Sequence, residues 1–132
     1  MRAIKLFRAA MAATALFCAL PGAHARQVTD LAGRVVTVPD HPKRVLLGEG
    51  RFVFAMALLD RQDPVARVVG WQGELKQQDP YSWTQLVKRY PKAADVPLIG
   101  KTSEASVSPE KIVSLQPDVA VFSLSGHGPC LL

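Results

Sequence analysis

Four short runs decide what this chain can become: RVLL ending at Leu47, ARVVGW ending at Trp71, VPLIG ending at Gly100 and DVAVFSL ending at Leu124. Each is apolar nearly throughout instead of alternating, and each runs out into glycine, hydroxyl, amide or charged residues. A strand that is apolar on both faces belongs in a parallel sheet covered on both sides, because a half-solvated strand alternates. The segments between the runs read as helices. Phe52 to Leu59 is apolar on every side and is expected to pack deep between the sheet and the outer layer. A second helix starts near Pro80 and stops at Tyr90-Pro91, since proline cannot continue it. In a third, Ser108 is the N-cap, Pro109 takes the first helical position and Glu110 sits where the helix dipole favours an acid; Gln116-Pro117 closes it. Strand and helix alternate, so the expected fold class is α/β with a mainly parallel sheet and flanking helices. Ahead of the sheet, VTDLAGRVVTVP holds two β-prone runs around Gly33, a residue suited to a positive φ, and predicts an N-terminal β-hairpin.

The first 25 residues are read as a separate element. Arg2, Lys5 and Arg8 precede an apolar run from Ala9 to Leu20, followed by Pro21, Gly22 and Ala23-His24-Ala25. A dozen apolar residues fall short of the roughly 20 that span a bilayer, and Ala-His-Ala presents small residues where a signal peptidase reads, so the segment is a secretory signal peptide cleaved after Ala25. Lipidation at Cys18 is disfavoured because Phe17, a large residue, precedes it. The full chain has 16 basic and 11 acidic residues for a formal charge of +5. Cleavage removes three of the basic ones and leaves 13 against 11, a formal +2, with no clustered basic stripe of the kind nucleic-acid binders carry. Cys130 is then the one cysteine left, so no intramolecular disulfide forms, and residues 26–132 make one domain held by its core.

Ligands of open α/β sheets sit outside the carboxyl ends of the strands. Four loops fall there: Gly48 to Arg51, Trp71 to Gly73, Gly100 to Thr102 and Ser123 to His127. They supply the candidate ligand-binding residues Gly48, Glu49, Arg51, Trp71, Gln72, Lys101, Thr102, Ser123, Ser125 and His127. GEGRFV resembles the start of a dinucleotide fingerprint, but its third glycine position is Val53 and an acid stands between the first two glycines. It is read as a tight strand-to-helix turn or as a ligand-facing loop. Arg51 and Lys101 are either contacts for an anionic ligand or solvated cations. Trp71, at a strand end, is expected to pack against the ligand, and Trp83, on a helix with Leu86 and Val87, to join the core. His41 and His127 are too few for a histidine-built metal site. No nucleophile, base and orienting group stand together, and no GxSxG elbow is present, so the chain is not expected to be an enzyme.

The export signal, VTDLAGRVVTVPDHPKRVLLG, VVGW, YP, VPLIG and SPEKIVSLQPDVAVFS occur in that order. With them the chain resembles periplasmic substrate-binding proteins of the ferric-siderophore, haem and cobalamin ABC importer class, from Gln27 to about Pro129. GW…YP…VPLIG leans toward the iron-complex branch. The resemblance implies one lobe of a two-lobed periplasmic-binding fold, with a long connecting helix and a second lobe to follow and the ligand held between the lobes. It also implies that Glu110 docks onto basic residues of an inner-membrane permease, since a glutamate on each lobe does so in this class. The chain stops where the connecting helix and second lobe are expected, so it is read as a truncated product or fragment. The implied partners are a ferric siderophore, or haem or cobalamin, and the permease; no nucleic acid is implied, and a monomer is expected. Iron would enter only inside its chelator, with no resident cofactor. Two other readings stand: an exported α/β enzyme or nucleotide-binding domain using Gly48-Glu49-Gly50 for phosphate, and a metal receptor using His41 or His127.

Overall fold

In the computed structural model, residues 25–102 and 106–124 are described. Two antiparallel strands come first, Ala25–Thr29 (β1) and Val35–Pro39 (β2), paired from Ala25 opposite Pro39 to Thr29 opposite Val35. Gly33 at the turn has φ of +78°, the left-handed conformation that glycine adopts without a Cβ clash. The Asp30 carboxylate accepts from the backbone N–H groups of Ala32 and Arg34 and from the Arg34 guanidinium. Those donors, the Arg34 N–H foremost, hold the Asp30 carboxyl below its ordinary range. The hairpin forms as expected, as a sheet of its own.

The main sheet consists of Val45–Leu47 (β3), Val68–Gln72 (β4), Leu98–Gly100 (β5) and Val119–Val121 (β6), all parallel, in the spatial order β5-β4-β3-β6. Around it lie Val53–Leu59 (α1), preceded by a 3-10 turn at Gly50–Phe52, then Glu74–Gln78 (α2), Pro80–Arg89 (α3), a 3-10 turn at Pro91–Asp95, and Pro109–Ser114 (α4). The core gathers on the central strands, where Val45, Leu47 and Trp71 meet Val53, Met56 and Leu86 from the helices.

Three details differ from the sequence expectation. α1 does not lie deep: Val53 and Met56 are buried, while Phe54, Leu58 and Leu59 are exposed. A helix of two turns presses one stripe on the sheet, residues three apart, and no described element covers its other side. α2 lies ahead of the helix start expected near Pro80. Glu, Leu, Lys and Gln are good helix formers, and Asp79 ends that turn by capping the next helix, its carboxylate accepting the Ser82 N–H at 3.0 Å. β5 starts two residues after the expected Val96, at Leu98.

The amino ends of β3 and β6 are tied to α4. Arg44 donates through Nε to the Gln116 carbonyl at 2.9 Å and through Nη2 to the Leu115 carbonyl at 2.6 Å, a cation on the negative end of that helix. Asp118 accepts from the backbone N–H groups of Lys43 and Arg44 at 2.8 and 2.9 Å. The carboxyl ends of all four strands are thereby presented along the opposite edge.

Candidate functional site

Because β3, β4, β5 and β6 are parallel and in near register, with Leu47 opposite both Trp71 and Val121 and Gln72 opposite Gly100, their tips line up side by side. Gly48 donates to the Val121 carbonyl at 2.7 Å and Gly73 to the Gly100 carbonyl at 3.0 Å, so each tip is laced to its neighbour. The described parts of the four loops share one edge, as the sequence reading requires. Ser125 and His127 lie outside the described residues.

The glycines of the first loop serve close approach. A Cβ on Gly50 would stand 2.7 Å from the Gln72 carbonyl oxygen, and one on Gly48 would run into the Phe122 ring. Between them Glu49 turns inward and is 1% exposed. Ser123 donates its hydroxyl to Glu49 Oε1, and the Arg51 guanidinium pairs with Glu49 Oε2. Two loops 74 residues apart are thus joined through one buried carboxylate. Arg51 keeps an exposed side chain whose charge is already answered by Glu49.

A second buried acid was not singled out in the sequence. Glu74 opens α2 directly after the β4 tip, is 5% exposed, and accepts the Arg51 backbone N–H through Oε1 at 3.0 Å. Its signal was an acid following the strand-tip glycine in WQGELK. Glu49, Arg51, Gln72, Glu74, Gln78 and Thr102 enclose a cavity of about 60 Å³.

Trp71 does not stand on the open edge. Its side chain is 1% exposed and meets Trp83 edge to face, with ring centroids 5.9 Å apart and planes at 69°. Both indoles border a neighbouring cavity of about 90 Å³ closed by Gly73, Lys76 and Leu98, with Lys76 Nζ 6.0 Å from the Trp83 ring centroid. Trp83 packs on the core as expected. Gln72 is buried at the edge, Thr102 is half-buried and Lys101 is exposed; the Lys101 N–H donates to Ser106 Oγ at 2.8 Å.

Glu110 lies on the same side, because α4 departs from the β5 tip: Ser108 N–H donates to the Ile99 carbonyl at 2.9 Å. Ser108 caps α4 by accepting the Lys111 N–H at 3.2 Å and donates to Glu110 Oε2 at 3.0 Å. Glu110 is exposed, and its own N–H together with the Ser108 hydroxyl holds its carboxyl below the ordinary range. His41 is exposed and precedes β3, away from the tips. Among the described residues no group of three or more His, Cys, Asp or Glu is placed to hold a metal ion.

No family model and no curated protein matches the chain. Solved structures do. A TroA-like periplasmic binding protein, FepB from Veillonella parvula, superposes with a TM-score of 0.62 at 28% identity over 71% of this chain and 28% of its own. A periplasmic solute binding protein from Veillonella parvula DSM 2008 gives 0.60 at 20% identity over 74% of this chain and 28% of its own. Holo-ViuP gives 0.53 at 24% identity over 77% and 31%. The fold is that of one lobe of a TroA-like periplasmic binding protein, and the chain spans less than a third of the length of these solved chains.

Proposed function

We propose that this chain is the amino-terminal lobe of the substrate-binding component of an ABC importer, working in the periplasm after signal-peptide removal at Ala25, and that its cargo is an iron–siderophore complex. The observation that supports it most is the gathering of the four strand tips along one edge of an all-parallel sheet whose fold matches one lobe of periplasmic binding proteins. Such an edge is one wall of a cleft. Arg51, Lys101, Thr102, Ser123 and the backbone around Gly48 form the near side of the site, with Gln72 and Glu49 setting their positions; Ser125 and His127 remain sequence-based candidates outside the described residues. Trp71 contributes as a buried support. The lobe binds without chemistry and needs no resident cofactor; iron stays inside its chelator. Glu110, exposed beside the tips, docks on the permease. The working unit is a monomer, with a second lobe closing over the ligand.

The test is a titration of ferric hydroxamate and ferric catecholate siderophores against this chain and against a version extended by a second lobe, following tryptophan fluorescence. Saturable quenching, far tighter in the extended version, is expected. Absence of saturation in both forms, with haem and cobalamin also silent, refutes the reading.

The nucleotide-binding reading meets a physical objection. Glu49 sits inside the Gly48–Gly50 loop, where a phosphate would have to approach, and Glu74 stands behind it. Two buried carboxylates repel an anion that one already paired guanidinium does not offset. ATP is therefore expected to leave the melting temperature unchanged. Haem or cobalamin in place of the siderophore would keep the same lobe and the same edge.

A further inference from the structure

Glu74 holds one oxygen without a partner. Oε1 accepts from Arg51, but Oε2 is buried and meets no hydrogen-bond donor among the described residues, in a side chain that is 5% exposed. A carboxylate oxygen withdrawn from water without a donor is costly, and among the described residues that line the cavity beside it Arg51 is the one cation. Glu49 uses the Arg51 guanidinium, so two buried carboxylates share one positive charge and the locality carries a formal charge of −1. The cavity of about 60 Å³ beside them is rimmed by carboxylates, the amides of Gln72 and Gln78 and the hydroxyl of Thr102. Apart from Arg51, each of these side chains carries an oxygen that can accept.

We propose that this cavity is a subsite for a protonated primary amine, an ammonium group carried on an arm of the bound ligand. At about 60 Å³, roughly twice the liquid share of one water, the cavity admits a head of one or two heavy atoms. Water would satisfy Oε2 but leave the charge unanswered. A zinc-type site asks for three or four carboxylate, imidazole or thiolate ligands, and the described residues bring no such set together. An ammonium brings three donors and one positive charge, and accepts any mixture of carboxylate, amide and hydroxyl oxygens. Gln78 and Arg51 are exposed and Thr102 half-buried, so the cavity opens on the edge where the strand tips meet. The proposal rests on the reading of that edge as the wall of a ligand cleft, and it narrows the cargo to chelates bearing a free amine.

The experiment measures the melting temperature of the chain in methylammonium chloride and in tetramethylammonium chloride at matched ionic strength. The second cation has the same charge, no N–H donor and too large a head. A saturable rise with methylammonium alone is expected, its midpoint shifted at least tenfold upward in Glu74→Gln. Equal responses to the two salts, or an unshifted midpoint in Glu74→Gln, would overturn the proposal and leave water as the occupant. Should Glu74→Gln fail to fold, Thr102→Val at the half-buried rim takes its place, with a several-fold upward shift expected and an unchanged midpoint counting against the subsite. No siderophore enters this measurement, so its failure leaves the receptor reading standing; a response to methylammonium, with this chain and the two-lobed version both ignoring every siderophore, haem and cobalamin, would sink the receptor reading and leave the cavity an amine site.

Discussion

β3 and β6 are neighbours in one sheet, equal in length and both wholly aliphatic, and they live in different environments. Val45, Leu46 and Leu47 are all buried, Leu46 completely, whereas Val119 is half-buried and Val121 is 43% exposed. Among the described strands β3 is paired on both sides and β6 on one. An apolar run thus has a structural worth that its own letters do not set, because burial depends on what lies beyond the strand. The outer side of β6 opens on a wide groove of about 530 Å³ shared with the hairpin, bordered by Asp30, Arg34, Val36, Val121 and Leu124. The site follows the same contrast: Glu49 and Glu74, rooted beside the central strands, are buried, and Ser123, at the β6 tip, reaches across to Glu49.

The largest expected effect tests the centre of the sheet. Leu46→Ala should cost about 2–5 kcal/mol in chemical denaturation, the usual range for emptying a packed leucine site, while Val121→Ala should cost less than about 1 kcal/mol. Equal losses would erase the distinction between the two strands.

Gly50→Ala probes the seam between the first two tips. The new methyl would press on the Gln72 carbonyl, and backbone cannot swing aside as a side chain can. A loss of about 1–3 kcal/mol is expected, as for other overpacked sites, together with weaker Arg51–Glu74 coupling seen as faster amide exchange at Arg51.

Ser108→Ala removes the cap of α4 and should cost about 1 kcal/mol. Ser108→Asp, which restores an acceptor, should recover most of it; no recovery would mean that the hydroxyl acts through Glu110 instead.

The smallest effect is on pH. Asp30, Asp79 and Glu110 have carboxyls held below their ordinary range, Asp79 chiefly by the Ser82 hydroxyl and N–H. A carboxyl whose folded pKa is depressed adds stability above its unfolded pKa, about 4, and that stability drains away as pH falls through the folded value. Melting temperature should therefore be flat from these groups above about pH 5 and decline below it. The decline should be shallower in Asp79→Asn, and a wild-type slope in that variant would remove Asp79 from the account.

Much of the fold was legible because local chemistry dictates it. Ser108-Pro109-Glu110 can begin a helix and little else, Tyr90-Pro91 must end one, and Gly33 turns the hairpin. At the site, the four loops were legible from where the apolar runs stop, yet the roles inside them were not. Glu49 looked like a residue facing a ligand and is buried; Arg51 was either a contact for an anionic ligand or a solvated cation and is paired with Glu49; Trp71 looked like a platform and fills the core. Glu49 is held by Ser123, 74 residues on, the Arg51 backbone by Glu74, 23 residues on, and Trp71 meets Trp83 from another element; no local pattern records such partners.

The sequence alone determined the hairpin, the four strands of the main sheet and three of its four helices, that those four strands are parallel, and hence that their polar ends come to a common side; these follow from backbone sterics, periodicity and the need to cover apolar strands. The tertiary structure alone decided which of those ends are sealed and which are open. Strand order made β3 central and β6 peripheral, and with that choice came the burial of two carboxylates against a single guanidinium, because the energy of a charge is fixed by the distant groups and the water around it.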